Sequence, residues 1–339
     1  MKDRIVWIDI AKGILICLVF LGHITQYQSM LSDVIFSFHM PAFFILSGYT
    51  FHYDEELPFG SFFLKNVKGK LVPYFFFCAI GALIHLAWGQ YELFGAEMLR
   101  QIFVICMPDL CYCGAGWFLV TLFFANLLTY LWCKLIETQK SFGAAEKALL
   151  LVFVFMFAAN GLILDRGFGV ERLPFRLDCS LMGFFFMLIG YYFKRKNIIG
   201  GISKNNKILL AIVLLAVYFP VMKVNGWVNI ANCSYNTPFF FLVESITGSL
   251  LVFLLAQSLE GKKAAAFLNT IGRHSLPMFM MHGMFLSFMI TQYGIPIGAV
   301  VSVWQSVAYA FVLVLVTLPL GILYDYGIAK ISHHRSVLK

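Results

Sequence analysis

Ten stretches of the chain stay apolar for long enough to approach or complete a bilayer crossing, near 6–27, 34–52, 71–89, 115–136, 147–165, 179–193, 208–222, 238–258, 275–293 and 298–324. A spanning helix needs about 20 such residues, since each adds about 1.5 Å and the hydrocarbon layer is about 30 Å thick. The pattern therefore predicts an all-α bundle of about ten transmembrane helices. The run at 179–193 is short and draws on its flanks, whereas the last is long enough to tilt or to bend at Pro319. Residues 53–70 alternate aromatics with lysines, which predicts an amphipathic piece lying along the membrane surface. No repeat, soluble segment or low-complexity tail is visible, so the pattern reads as one transmembrane domain over 1–339.

Composition supports this. Of 339 residues, 60% are hydrophobic and only 12% charged, with a mean hydropathy of +0.83, outside the range of soluble domains. The 37 Phe, 15 Tyr and 6 Trp suit a lipid-facing surface with interfacial aromatics and need no ligand to explain them. The first apolar run has a charged flank but no small-residue cleavage site, so it reads as a helix and not as a signal peptide.

A net charge of +8 raises nucleic acid as a partner, but the placement of the charges removes it. With the N-terminus inside, most of the 25 Lys and Arg residues fall on the inner side; only Arg100, Arg166, Arg172, Arg176 and Lys223 fall outside, with Lys12 inside the first helix. That bias predicts an N-in, C-in topology. The eight cysteines show no paired C-x-x-C spacing, so no metal site is indicated. Most read as small apolar residues. Cys106, Cys111 and Cys113 share one loop, where a disulfide is the alternative if that loop faces an oxidising compartment.

Against this background the stretch 12–49, KGILICLVFLGHITQYQSMLSDVIFSFHMPAFFILSGY, is unusual in carrying a lysine and two histidines within apolar runs. Lys12 and His23 are eleven positions apart, about three helical turns, which sets both on one face about 16 Å from each other. His39 follows after the chain has turned back, at a depth where it can meet His23. Polar groups at such depth are costly unless paired or used. Pro41 is read as a first-turn proline, where the ring is favoured. Ser47-Gly48 reads as a close helix contact, because no G-x-S-x-G elbow surrounds the serine.

Asp9-Ile-Ala-Lys12-Gly, Gly22-His23, Phe38-His39-Met-Pro41, Phe43-Phe44 and Ser47-Gly48-Tyr49 together resemble the membrane-bound acyltransferase-3 family, which includes O-acetyltransferases of surface polysaccharides. That family carries a basic residue, ten intervening positions and a histidine in its first helix. Pro73-Tyr74, Trp117-Phe118-Leu119, Gly190-Tyr191, Ile271-Gly272, Ser275-Leu276 and His282 extend the likeness along nearly the whole chain. The resemblance implies a bundle of about ten helices that takes an acetyl group from acetyl-CoA and delivers it to a hydroxyl of a glycan, or of a lipid-linked saccharide, beyond the cytoplasmic membrane. Many relatives add an extra helix or an esterase-like domain. This sequence shows neither, so acceptor recognition is expected from its own outer loops.

Such chemistry needs a base, an oxyanion donor and a grip on the donor's phosphates. His23 is the expected base. His39 is a second candidate, as an orienting or oxyanion-binding imidazole or as a polar contact where the second helix begins. Lys12 either supports the donor's phosphates or pairs with Asp9 and snorkels. Lys65, Lys68 and Lys70 are candidate donor contacts, or simply topology and lipid charges. Arg166, Arg172 and Arg176 are candidate acceptor contacts, or ordinary ion pairs. Glu244 is a lone intramembrane carboxylate that either supports a catalytic imidazole or bonds between helices. His282 is expected to be structural or pore-lining, and Trp117 to support the site where the fourth helix opens. The competing classes are a proton-coupled exporter of a small polar solute, using the same histidines and Glu244, and a membrane sensor without catalysis.

Overall fold

Each of the ten apolar runs becomes a helix in the computed structural model, which describes residues 4–25, 29–88, 95–138, 143–159, 173–294 and 302–337. In chain order these are α1 (Val6–Ile24), α2 (Met30–Thr50), α3 (Phe59–Ala87), α4 (Gly114–Glu137), α5 (Ala144–Ala159), α6 (Leu177–Arg195), α7 (Lys204–Asn225), α8 (Pro238–Leu259), then α9 (Lys263–Arg273), which the apolar runs do not include, and α10 (Ser275–Tyr293) and α11 (Val303–Val337). Among the described residues eight segments are long and apolar enough to cross a membrane: α1 to α4, α6 together with the turn before it, α7, α8 and α11. The protein is a polytopic, all-α membrane protein. Beyond the helices, the described residues hold one antiparallel bridge, between Asn229 and Ser234.

α1 and α2 are the most enclosed spans, and glycines explain how neighbours come so close. A Cβ on Gly48 would overlap the carbonyl of Met187, and one on Gly190 the carbonyl of Ile45, so α2 and α6 cross backbone to backbone. Gly13 against Leu268 and Gly272 against Asp9 lock α1 to α9 in the same way. In a membrane, where lipid removes the hydrophobic drive between helices, close contact of small residues supplies the attraction. Ser47 has no nucleophile's setting: its hydroxyl donates to the carbonyl of Phe43 at 2.8 Å.

One expectation about proline changes. Pro41 lies deep inside α2, not in its first turn, because the helix begins at Met30 with Ser29 as its cap. A proline there leaves the carbonyl of Ser37 without its helical donor. The hydroxyl of Ser245 on α8 takes that place, donating to the Ser37 oxygen at 2.7 Å. Pro73 stands in the first turn of the α-helical stretch Val72–Ala87. Residues 59–66 continue into it through a π-helical turn at Val67–Leu71, which accommodates the missing donor. Of the segment 53–70 expected to lie along the surface, residues 59–70 are thus the first part of α3.

No disulfide joins Cys106, Cys111 and Cys113, which are free thiols. The segment that holds those three folds back on the bundle: Tyr74 donates to the carbonyl of Ile102 at 2.8 Å, and the ring of Tyr112 stacks on His85 at 4.1 Å.

Candidate active site

α1 ends at Ile24, with His23 in its last turn. α2 returns antiparallel and carries His39 midway along its length. α10 brings His282 from the far end of the sequence. The rings of His23 and His282 lie 5.0 Å apart, centroid to centroid, and Phe36 bridges His23 and His39 at 6.0 and 5.1 Å. All three imidazoles line one cavity of about 660 Å³.

Geometry fixes two tautomers. The Nδ1 of His39 lies 2.6 Å from the carbonyl oxygen of Ile35, and that of His282 lies 2.5 Å from the oxygen of Phe279. A carbonyl only accepts, so each Nδ1 carries a proton and each Nε2 keeps the lone pair. His39 and His282 are buried, whereas His23 is partly open to the cavity. Imidazoles held in this way can accept a proton at Nε2 and, once charged, donate it to a developing oxyanion.

The rest of the wall comes from two connecting segments. Met107, Asp109, Tyr112, Gly114 and Ala115 close one side, ahead of Trp117 at the start of α4. Trp227 and Asn229 to Asn232 close another, from the segment between α7 and α8. Asp109 is exposed toward the cavity yet crowded enough that burial raises its carboxyl above the ordinary range, with the nearby Arg176 guanidinium pulling the other way. Apart from Trp117 these wall residues belong to no motif in the sequence. The available signal was that these two connections are longer than simple turns.

The other expected residues lie elsewhere. Lys12 sits at the opposite end of α1, with its Nζ 3.8 Å from Asp9. Asp9 is buried and also receives Arg4. Lys65 and Lys68 are exposed on α3, and Lys70 is half-buried in its π turn. None of these basic residues lines the histidine cavity. Glu244 is buried on α8, but Asn225 on α7 donates to it at 2.8 Å; it does not reach the imidazoles. The amide oxygen of Asn225 accepts from the backbone of Thr237, so this set ties together the ends of α7 and α8. Arg176 is buried behind the cavity wall, against the Met107 thioether. Arg166 and Arg172 lie outside the described residues.

The fold and site together define a multi-pass helical membrane protein that gathers three histidines in a cavity with aromatic walls. The chain belongs to the acyltransferase-3 family, whose model, an acyltransferase domain, matches residues 5–326. It is therefore a membrane acyltransferase. No curated protein and no solved structure matches the chain.

Proposed function

We propose that the protein transfers an acetyl group from acetyl-CoA to a hydroxyl of a saccharide on the outer side of the cytoplasmic membrane, with both termini inside. The observation that carries this reading is the meeting of His23, His39 and His282 in one cavity whose walls are aromatic and amide-bearing. Trp117, Tyr112 and Trp227 offer faces for the C–H surfaces of a sugar ring. Asp109, Asn229 and Asn232 offer acceptors and donors to its hydroxyls.

In this mechanism His23 accepts the hydroxyl proton as the oxygen attacks the thioester carbonyl. His282 orients His23 through its Nε2 lone pair, and His39, once protonated at Nε2 to an imidazolium, bears the charge of the tetrahedral intermediate. The C–S bond then breaks, the thiolate leaves with a proton, and the acetyl ester remains on the sugar. Lys12, held by Asp9 at the other end of α1, and the lysines of α3 hold the donor's phosphates on the inner side. The pantetheine arm then reaches along α1 to the histidines.

The test is mass spectrometry of surface glycans from cells that express the native chain or His23→Ala at equal membrane abundance. One acetyl mass per modified residue, present with the native chain and lost with the variant, is the expected result. Equal acetylation by both proteins would remove His23 from the chemistry. Solute flux in proteoliposomes without acetylation would replace the reading with a transporter.

A further inference from the structure

Behind the cavity wall, Cys179 at the start of α6 and Cys233 in the segment between α7 and α8 bring their sulfurs to 3.5 Å, although they are far apart in sequence. Both are fully or almost fully buried, at 0% and 2% exposure. The Cys179 thiol also lies 3.3 and 3.6 Å from the carbonyls of Ile230 and Ala231, two residues of the cavity wall. The position of Cys233 is fixed locally: Asn229 and Ser234 exchange both backbone hydrogen bonds around it, and Asn229 caps the intervening turn.

We infer that Cys179 and Cys233 form a disulfide that staples the Trp227–Asn232 wall of the cavity to α6. The 3.5 Å between the sulfurs exceeds the length of an S–S bond by only about 1.5 Å. The basic residues place this end of the bundle outside, where thiols meet an oxidising compartment. The oxidant is a disulfide of the thiol-oxidase class. One cysteine thiolate attacks it to give a mixed disulfide, and the second cysteine displaces the oxidant's remaining sulfur. Two S–H bonds are lost and one S–S bond forms, with two electrons and two protons passing to the oxidant, which leaves as a dithiol. Asp178 also lies beside the two sulfurs, a set that could hold a metal ion. The Arg176 guanidinium is close enough to act on Cys179, and a cation already in place opposes a second one.

The test is thiol counting on the full-length chain. Cells are quenched in acid, and the membranes are denatured and treated with a polyethylene glycol maleimide, with and without prior reduction. The native chain is expected to gain two fewer adducts before reduction than after it. Cys179→Ser and Cys233→Ser are each expected to abolish that difference, and Cys17→Ser to keep it. Tryptic peptides of the unreduced native chain should contain Cys179 and Cys233 cross-linked. The same number of adducts with and without reduction overturns the inference, as does a difference that persists in Cys233→Ser, which would place the bond among the other cysteines. Zinc that co-purifies with the chain, together with a full set of reactive thiols after the quench, overturns it in favour of a metal site. Thiol counting does not depend on the reaction catalysed, so the inference stands or falls separately from the proposed function.

Discussion

His23 and His282 meet ring to ring at 5.0 Å, one from α1 near the start of the chain and one from α10 near its end. Groups that act on one proton do not contribute independently. If His23 is the base and His282 holds it, His23→Ala should lower kcat by about 10²-fold or more. His282→Ala should cost less, and the double variant should be little worse than His23→Ala alone. Acetyl transfer assayed in proteoliposomes gives the cycle directly. Multiplicative losses would mean that the two rings act apart.

His39 has one nitrogen bound to the Ile35 carbonyl and one left for the cavity it lines, and amide side chains can separate them. Asn can keep a donor near the Nδ1 position, facing the Ile35 carbonyl, whereas Gln reaches the Nε2 position. If the oxyanion is bound through Nε2, His39→Gln should retain more kcat than His39→Asn, at similar thermal stability. The reverse order would assign His39 to holding α2 in place.

The Pro41–Ser245 arrangement predicts a rescue. Ser245→Ala leaves the Ser37 carbonyl buried without the 2.7 Å hydroxyl bond and should cost about 1–3 kcal/mol. Pro41→Ala restores a backbone N–H four residues after Ser37. The double variant Pro41→Ala, Ser245→Ala should therefore be more stable than Ser245→Ala alone, measured by thermal unfolding in detergent. Additive loss would show that the Ser245 bond does not substitute for the missing helical donor.

The fold was legible because each membrane-length run must close its backbone bonds within itself, and a helix does so. The same logic made Lys12, His23 and His39 stand out, and the structure brings His23 and His39 together. What periodicity could not supply was partners across the bundle. Glu244 looked available to an imidazole by depth alone, yet Asn225 sits nearer. His282 reads in the sequence as structural or pore-lining, and only the fold shows that α10 sets it in the cavity wall against His23. Asp109, Tyr112, Trp227 and Asn229 lie in connections where neither hydrophobic period applies, so their convergence is a tertiary fact. α9 escaped notice because its mixed polarity resembles a loop in a hydropathy reading, although Gly272 shows how closely it meets α1.

Helix contact at Gly48 is testable against an internal control. An added Cβ there would overlap the Met187 carbonyl, whereas one at Gly60 meets nothing within 4 Å. Overpacking a tight contact costs about 1–3 kcal/mol, and α2 has little room to give because Gly190 presses on it from the same helix as Met187. Gly48→Ala should lower the melting temperature in detergent and the yield of folded protein. Gly60→Ala should be neutral or slightly stabilising, since it removes only backbone freedom. Equal behaviour of the two would mean that α2 and α6 sit farther apart than the structure has them.

Lys12 and His23 occupy opposite ends of α1, so their variants should fail differently. Lys12 is partly exposed and pairs with the buried Asp9, which also receives Arg4. Losing Lys12 leaves Asp9 with the arginine, so Lys12→Ala should fold. Losing Asp9 strands two cations, and Asp9→Ala should lower abundance. If Lys12 grips the donor's phosphates, Lys12→Ala should raise KM for acetyl-CoA about tenfold, the equivalent of about 1.4 kcal/mol of binding, with a smaller effect on kcat. The gap between Lys12→Ala and the native chain should narrow with added salt, because screening weakens the contact that only the native chain makes. His23→Ala should show the opposite split, with kcat lost and KM little changed. If Lys12→Ala instead lowers kcat at unchanged KM, the lysine is not a donor contact, and the division of α1 into a donor end and an acceptor end fails.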